Sequence, residues 1–233
     1  MENNDTTRVN KLIAHATGLS RREVDNAIES GRVTVNGEKA SLGAQVTSSD
    51  TVLFDGKPVK SQEAADYTYI ALNKPVGYLT SRRSQGGDPT IYELLPENLR
   101  ALKPVGRLDR DSSGLLLLTD DGDFAHRMTH PSFGKTKFYD VELDRELEPL
   151  HQQMINDHGV SLEDGVSQLT LSRLNDTDRR NWRVSMHEGR NRQIRRTFAA
   201  LGYTVTGLHR IQFGPYMLDE LEPGKFQDVP KVN

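Results

Sequence analysis

The N-terminal part of the chain shows two helical patterns of apolar positions, followed by short runs that alternate as strands do. Apolar residues within 9–13 fall on one face of a helix, and Gly18 ends it. Ser20 and Glu23 fit a capping box that opens a second helix. The sequence Arg-Val-Thr-Val-Asn-Gly at 32–37 is typical of a strand that runs into a type I′ hairpin turn. These patterns predict a small module that contains both helices and strands.

The rest of the chain shows longer and more varied elements. Residues 69–72 indicate a strand, and the continuous apolar run at 115–118 is typical of a core strand or a short buried helix. Apolar and polar residues alternate over 182–187, as expected for a strand with one buried face. Ile194 and Phe198 then share one face of a helix. The periodicity predicts an α+β fold.

A polar stretch that contains Pro58, Ser61 and Gln62 separates the two patterns. With 233 residues and 35% hydrophobic content, the chain can build two modest domains with ordinary cores. We therefore predict one domain at 1–60, a linker at 61–66 and a larger domain at 67–233.

The composition excludes several kinds of chemistry. The chain has no cysteine, which rules out disulfides, thiolate metal sites and cysteine nucleophiles. No apolar run approaches the roughly 20 residues that span a bilayer, and the N-terminus is polar, so we expect a cytoplasmic protein without a membrane anchor. His126 and His130 have a spacing that can bind zinc, but Pro131 follows at once and no glutamate accompanies them, so we expect no metal site.

The net charge of −3 hides a local excess of positive charge. Seven arginines and a single acid, Glu188, lie between Arg179 and Arg196. Such a face can bind an RNA backbone with salt-dependent affinity, or it can be a solvated surface that nearby acids balance.

One acidic residue stands in an informative position. Asp109 belongs to the sequence Gly-Arg-Leu-Asp-Arg-Asp-Ser-Ser-Gly at 106–114, directly before the apolar run at 115–118. The glycines favour a turn, so the pattern places a carboxylate at the edge of the hydrophobic interior. A carboxylate held there needs a partner.

Five short motifs follow one another along the chain. They are Asn-Lys-Pro-Val-Gly at 73–77, Gly-Arg-Leu-Asp at 106–109, Lys-Phe-Tyr at 137–139, Glu-Gly-Arg-Asn-Arg-Gln-Ile-Arg-Arg at 188–196 and Gly-Leu-His-Arg-Ile at 207–211. In this order they resemble the motifs of bacterial pseudouridine synthases of the RsuA and RluB type, which convert uridine in structured RNA into its C-glycoside isomer. The C-terminal part is most similar to the RluB branch. The resemblance implies a catalytic domain with a mixed, mainly antiparallel sheet flanked by helices.

The resemblance also implies roles for individual residues. Asp109 would be the catalytic residue, either attacking ribose C1′ or removing a ribose proton. Tyr139 would lie against the base, and Arg195 would pair with the aspartate. The substrate pocket would contain Lys74, Arg107 and Leu208. Because the isomerisation involves no redox change and no group donor, we expect no cofactor.

Residues 8–55 resemble the S4 RNA-binding domain, through Ser-Arg-Arg at 20–22 and Gly-Arg-Val-Thr-Val-Asn-Gly at 31–37. The resemblance implies phosphate contacts from the residues that open the second helix and from neighbouring cations. Across both domains, the basic residues that we expect to bind RNA are Lys11, Arg21, Arg22, Arg32, Arg190, Arg192, Arg196 and Arg210.

The family resemblance indicates ribosomal RNA, or a ribosomal assembly intermediate, as the partner of a monomeric enzyme. The RluB-like C-terminal part favours 23S RNA of the large subunit, and the same chemistry on 16S RNA of the small subunit stays open. Two other interpretations also stay open. One is an RNA-binding assembly factor without activity, and the other is a glycosidase-like enzyme with Asp109 and Asp111 as its acid pair.

Overall fold

The computed structural model describes residues 6–59 and 67–232. The chain divides into two compact units, Met1–Asp66 and Tyr67–Asn233. The linker expected at 61–66 lies outside the described residues, so its bounds stay a prediction. Within the two described ranges, no helix is long and apolar enough to cross a bilayer.

The smaller unit packs two helices against short strands. Its elements are β1 (Thr7–Arg8), α1 (Val9–Thr17), α2 (Arg21–Glu29), β2 (Val33–Val35), β3 (Glu38–Lys39), β4 (Gln45–Val46), β5 (Val52–Phe54) and β6 (Lys57–Pro58). One antiparallel sheet has the order β3-β2-β5-β6, and β1 pairs separately with β4. The core contains Val9, Ile13, Val24, Ala27, Ile28, Val33, Val46 and Val52. The predicted apolar faces of both helices are therefore buried.

Local side chains set the start of α2 and the turn after β2. The Ser20 side chain accepts a hydrogen bond from the Glu23 amide at 3.2 Å, and the Glu23 carboxylate accepts one from the Ser20 amide at 2.7 Å. This reciprocal pairing confirms the predicted capping box. Asn36 and Gly37, between β2 and β3, have φ angles of 51° and 88°. Positive φ at both central positions is what a type I′ hairpin requires.

The larger unit contains one extensive sheet with helices on both sides. Its strands are β7 (Tyr69–Lys74), β8 (Lys103–Pro104), β9 (Ser113–Thr119), β10 (Lys137–Leu143), β11 (Val160–Leu162), β12 (Gly165–Ser167), β13 (Thr170–Arg173), β14 (Asn181–Met186), β15 (Val205–Phe213), β16 (Tyr216–Met217) and β17 (Phe226–Asp228). Its helices are α3 (Gly122–Thr129), α4 (Pro149–Asp157) and α5 (Gln193–Ala200), with 3₁₀ turns at Ile91–Leu94, Glu97–Leu99 and Pro131–Phe133.

The main sheet is mixed and mainly antiparallel, which confirms the prediction. Its order is β13-β14-β10-β15-β9-β7-β17, with β16 added to β15 and β8 added to β9, while β11 and β12 form a separate hairpin. Strands β15 and β9 run parallel, with His209 opposite Ser113 and Arg210 opposite Gly114. Because parallel strands begin at the same edge of a sheet, the turn before β9 lies beside the first residues of β15.

The close approach of β9 and β15 explains the second glycine of the 106–114 motif. Gly114 has a φ of +103°, and a Cβ there would lie 2.2 Å from the Arg210 carbonyl oxygen. Any side chain at this position would push the two strands apart.

Strand β9 is buried on both faces because helices cover both sides of the sheet. Leu116 and Leu118 belong to an apolar cluster that includes Phe198 of α5. Leu115 and Leu117, which point to the other face, belong to a cluster that includes Phe124 of α3. A strand between two apolar layers needs an uninterrupted apolar run. The run at 115–118 is therefore a core strand, and the helical alternative that its pattern left open is wrong.

Candidate active site

The turn that carries Asp109 connects β8 to β9 and is fastened by its own backbone. The Ser112 amide donates to the Asp109 carbonyl oxygen at 3.1 Å. The Gly77 amide donates to the Arg110 carbonyl at 2.7 Å, and the Thr80 hydroxyl donates to the Leu108 carbonyl at 2.8 Å. The segment after β7 therefore supports the turn along its length. A carboxylate on such a turn has a defined position.

Lys74, the last residue of β7, supports the same turn from the protein interior. Its side chain is fully buried, and its ammonium group donates to the carbonyl oxygens of Pro75, Asp109 and Ser112 at 3.0, 3.0 and 2.7 Å. Burial lowers the pKa of Lys74 to about 8, although the nearby carboxylates of Asp109 and Asp111 oppose this change. The backbone of the turn therefore uses the donors of Lys74, and its place in the substrate pocket stays a prediction.

Asp109 and Asp111 share an arginine, and it is not the arginine that the sequence indicates. The Arg192 guanidinium lies 3.4 Å from Asp109 Oδ2 and makes two hydrogen bonds to Asp111, of 3.0 and 2.9 Å. Arg195 Nε lies 3.3 Å from Asp111 Oδ2. Among the described residues, no ion pair joins Arg195 to Asp109. The predicted partner of Asp109 is therefore wrong in this arrangement, although Arg195 lies within the same charged cluster.

The backbone explains why Arg195 reaches Asp111 instead. The Arg195 guanidinium donates to the carbonyl oxygens of Val205 and Asp111, at 2.7 and 2.8 Å. These contacts fasten the side chain between the start of β15 and the turn, and only 12% of it is exposed. Arg192 is 43% exposed and Asp109 34%, so this pair faces the solvent side of the cluster.

Arg192 has a strained backbone as well as a central position. It precedes α5 with a φ of +47°, in the left-handed region that favours glycine. Strain of this kind costs about 1–3 kcal/mol and is concentrated at functional sites. The conformation brings the Arg192 side chain to both carboxylates.

The same cluster speaks against the glycosidase-like alternative. Hydrogen bonds from Arg192, followed by the charge of Arg195, lower the pKa of Asp111 although burial opposes them. A general acid in a glycosidase needs a raised pKa, so that it still carries its proton near neutral pH. Asp111 is therefore an anchor for two arginines rather than a proton donor.

Tyr139 and Arg210 form a second, buried group. Tyr139 lies on β10 with 8% of its surface exposed, and Arg210 lies opposite it on β15 with 2% exposed. Arg210 Nη1 lies 3.5 Å from the Tyr139 hydroxyl oxygen, and Arg210 Nε donates to the Leu115 carbonyl at 2.7 Å. Arg210 is enclosed between strands in this arrangement, and its expected contact with RNA stays a prediction.

A cavity of about 500 Å³ opens beside the charged cluster. Asp111 and Arg195 line it, together with Leu208 and His209 of β15 and residues 140–142 of β10. Arg195 and Leu208 thus meet at one cavity, as the motifs indicate. Asp109 and Tyr139 are not lining residues, and Asp109 is linked to the cavity through Arg192 and Asp111.

Two of the arginines expected to bind RNA are used inside the protein. Arg190 contacts the Asp164 carboxylate at 2.9 Å and donates to the carbonyl oxygens of Gly165 and Val166 at 3.0 and 2.8 Å. Arg196 makes two hydrogen bonds to Asp164, of 3.0 and 2.7 Å. Both side chains hold the β11–β12 hairpin against α5. Both guanidinium groups are thus paired within the protein, and their contacts with phosphates stay a prediction.

The other basic residues differ in their surroundings. Arg21 and Arg22 are exposed in the first turn of α2, and Arg107 is exposed two positions before Asp109. Arg32 is paired with Asp55 and lies over the Phe54 ring at 5.2 Å, so its charge is already matched. Lys11 lies within α1.

His126 and His130, which have a zinc-binding spacing, pack against each other and against Phe133. The centroids of His126 and His130 are 4.9 Å apart, and Phe133 lies edge-on to both. In the described ranges, no three or more metal-ligating side chains come together.

The sequence missed three features of this site: the support given by Lys74, the double role of Asp111, and the choice of Arg192. Lys74 had a signal in its position at the end of a strand predicted to be buried, where a charge needs several partners. Asp111 had only its spacing from Asp109. Nothing local distinguishes Arg192 from Arg195.

Comparison with known proteins places this geometry in a family. The family model for RNA pseudouridylate synthase matches residues 68–200, and the S4 domain model matches residues 7–52. A crystal structure described as a pseudouridylate synthase is 34% identical, with a TM-score of 0.68 and coverage of 96% of both chains. The predicted enzyme class and fold are thus confirmed.

Curated relatives carry several names. An uncharacterized RNA pseudouridine synthase of Aquifex aeolicus is 39% identical over 95% of this chain and 90% of its own length. A ribosomal large subunit pseudouridine synthase B of Xylella fastidiosa is 36% identical over 97% of this chain, which spans only 49% of that relative. A ribosomal small subunit pseudouridine synthase A of Pasteurella multocida is 36% identical over 95% of both chains. The chain therefore belongs to the RNA pseudouridylate synthase family and carries an S4 domain in its N-terminal unit.

Proposed function

We propose that this enzyme converts a specific uridine of large-subunit ribosomal RNA to pseudouridine, with Asp109 as its catalytic residue. The observation that supports Asp109 is its place on a turn that Lys74 and the segment after β7 hold from several sides, with the Arg192 guanidinium 3.4 Å away. Such support positions a reactive group before the substrate arrives.

The reaction breaks the bond between ribose C1′ and N1 of uracil, turns the base and joins its C5 to C1′. The proton on C5 is lost and N1 gains one, so no outside reagent is consumed. Asp109 either attacks C1′ or removes a ribose proton, and both routes use the ionised carboxylate. Arg192 supplies a positive charge beside it.

We assign the contact with the base to Tyr139, with Leu208 on the wall of the cavity. Tyr139 and Leu108, the residue before Asp109, belong to one apolar cluster, and Leu208 packs against the same cluster. Aromatic and aliphatic side chains of this kind hold a flat base by its faces. The loosened uracil would stay there while it turns.

A uridine in folded RNA must leave its stack, which costs a few kcal/mol that contacts elsewhere offset. We propose that Arg21 and Arg22 of the S4 domain, with Arg192 of the larger unit, contact phosphates, while Arg107 belongs to the substrate pocket. All four side chains are at least partly exposed. Arg32 would contribute less directly, since it is paired with Asp55, and Lys11 of α1 is a further candidate for phosphate contact.

Replacing Asp109 by asparagine tests the catalytic assignment. We expect D109N to fold and to bind RNA, but to release no tritium from C5-labelled uridine RNA. The matched control is D178N, because Asp178 is also a partly exposed carboxylate paired with an arginine, 25% exposed against 34%, and lies away from the Asp109 turn. D178N should keep its activity. Pseudouridine formation by D109N would overturn the assignment, and the RNA-binding factor without activity would be favoured if the wild type also released none.

The choice of ribosomal subunit needs a separate experiment. The Xylella relative supports the large subunit, whereas the Pasteurella relative supports a second candidate, the same chemistry on small-subunit RNA. Pseudouridines should be mapped in 23S and 16S RNA from cells with and without the gene. Loss of a site in 23S RNA is expected, and loss confined to 16S RNA would favour the second candidate.

A further inference from the structure

Two cations are buried beside Tyr139 and have no role in the mechanism so far. Arg210 is 2% exposed and Lys137 is 9% exposed. Both lie against one aromatic ring, with Arg210 Cζ and Lys137 Nζ each 5.1 Å from the centroid of Phe213. The two positive charges therefore share one small volume of the interior.

These cations have few partners. Arg210 Nε donates to the Leu115 carbonyl at 2.7 Å, and Nη1 reaches the Tyr139 hydroxyl at 3.5 Å, while Nη2 is buried without a hydrogen-bond partner. Lys137 Nζ donates to the Glu188 carbonyl at 3.3 Å. Among the described residues, neither cation forms an ion pair with a carboxylate.

Such an arrangement is unfavourable unless an anion joins it. Buried charges without a counter-ion lose their hydration and gain little in return, so proteins rarely keep them without a use. Burial, followed by repulsion from Arg210, lowers the pKa of Lys137 to about 8, although the charge of the Glu188 carboxylate, which forms no ion pair with Lys137, opposes this change. The lysine thus remains protonated near neutral pH, and the region keeps two positive charges.

The reaction itself produces an anion of the right kind. When the C1′–N1 bond breaks, its electron pair stays on N1, and the charge spreads to the carbonyl oxygens O2 and O4 of the uracil ring. The charge is consumed when C5 bonds to C1′, C5 loses its proton and N1 is protonated. Because Arg210 and Lys137 are enclosed, they would act on this charge at a distance rather than by contact, Arg210 across the Tyr139 ring at 6.0 Å from its centroid.

We propose that Lys137 and Arg210 form a buried cationic site that stabilises the detached uracil anion beside Tyr139. Arg210 acts as a positioning residue, because it holds the Tyr139 hydroxyl while its guanidinium adds positive charge behind the ring. The proposal rests on the proposed function, since it needs Tyr139 at the base. It adds electrostatic stabilisation of the detached base, which Asp109 alone does not provide.

Substrates with different leaving bases test this site. Fluorine at C5 withdraws electrons and stabilises the uracil anion, so RNA with 5-fluorouridine at the target needs less help to break its C1′–N1 bond. We expect R210Q to slow single-turnover reaction of uridine RNA by about 100-fold. With 5-fluorouridine RNA, the loss of rate caused by R210Q should be about tenfold smaller. The reaction of this RNA is measured by the disappearance of 5-fluorouridine from nuclease digests. R210K keeps the charge and should recover part of the rate.

Arg179 offers a matched control. Its Nε also donates to a carbonyl oxygen at 2.7 Å, that of Leu147, and its guanidinium also lies against an aromatic ring, with Cζ 5.4 Å from the centroid of Trp182. R179Q loses the same kinds of contact outside the candidate site. R179Q should leave the reaction rates of both substrates unchanged once they are corrected for the fraction of folded protein.

Equal slowing of both substrates by R210Q would overturn the proposal and leave Arg210 a structural role. If R210Q fails to fold in thermal denaturation, K137Q replaces it, with the same expected difference between substrates and the same overturning result. Failure of the proposed function would appear differently, as product formation by D109N with uridine RNA.

Discussion

Replacing Lys74 by methionine tests how the Asp109 turn is held. Methionine has a similar length and no charge, so it fills the space and removes the donors. The carbonyl oxygens of Pro75, Asp109 and Ser112 would then lose the ammonium group that they share. We expect a less stable fold and a displaced Asp109 carboxylate.

The magnitude follows from two opposing effects. Hydrogen bonds from a charged donor contribute about 1.5–3 kcal/mol each, so the three contacts of Lys74 stabilise the turn by roughly 5–9 kcal/mol. Burial lowers the pKa of Lys74 from 10.5 to about 8, which corresponds to a cost of roughly 3 kcal/mol for enclosing the charge. K74M relieves this cost, so its net destabilisation is roughly 2–6 kcal/mol. For a unit of this size the melting temperature should fall by about 10 °C.

The pH dependence of this difference has a definite sign. The pKa of Lys74 is lower in the folded protein than in the unfolded chain, so the unfolded chain binds more protons between about pH 8 and 10.5. The contribution of Lys74 to the free energy of unfolding therefore rises over that range. The stability gap between wild type and K74M should widen as pH rises through it.

Denaturation of both proteins at several pH values, with single-turnover assays at pH 7, checks these expectations. Lys103 lies on β8 with its side chain exposed, so K103M is the matched control. It should change neither the melting temperature nor the single-turnover rate. An unchanged melting temperature for K74M would refute the support assigned to Lys74. A gap that narrows between pH 8 and 10.5 would show that its pKa is not lowered by burial.

Two further substitutions probe the fold around the site. G114A should lower the free energy of unfolding by several kcal/mol in urea titrations, because its Cβ would lie 2.2 Å from the Arg210 carbonyl oxygen. G77A is its control, since Gly77 also has a positive φ, +95°, but has open space around it, so a similar loss in both would mean that backbone strain alone matters. For Asp121, burial raises the pKa, but hydrogen bonds from the Phe124 amide, Lys231 and Tyr69 outweigh it and lower the pKa from 3.8 to about 2. D121N should therefore lose roughly 2 kcal/mol at pH 7, a difference that shrinks as pH falls through about 2, and a gap that persists at pH 1.5 would contradict this cause.

The sequence by itself determined the features that depend on neighbours along the chain. Ser20 and Glu23 specify the capping box, and the glycine-bounded turn places Asp109 before an apolar run, because these arrangements involve only a few consecutive residues. The order of the motifs indicated the family and therefore the sheet.

Only the tertiary structure decided which side chains meet. The sequence pattern places Arg192 and Arg195 on adjoining parts of one helix face, but Arg192 precedes α5. Its left-handed backbone brings its side chain to Asp109, 83 positions away in sequence. Nothing in the local sequence distinguishes Arg210 from a surface arginine, yet the close pairing of β15 with β9 at Gly114 encloses it. Periodicity records which face of an element is apolar. The partner of a charge depends instead on strand order and on how closely the backbones approach.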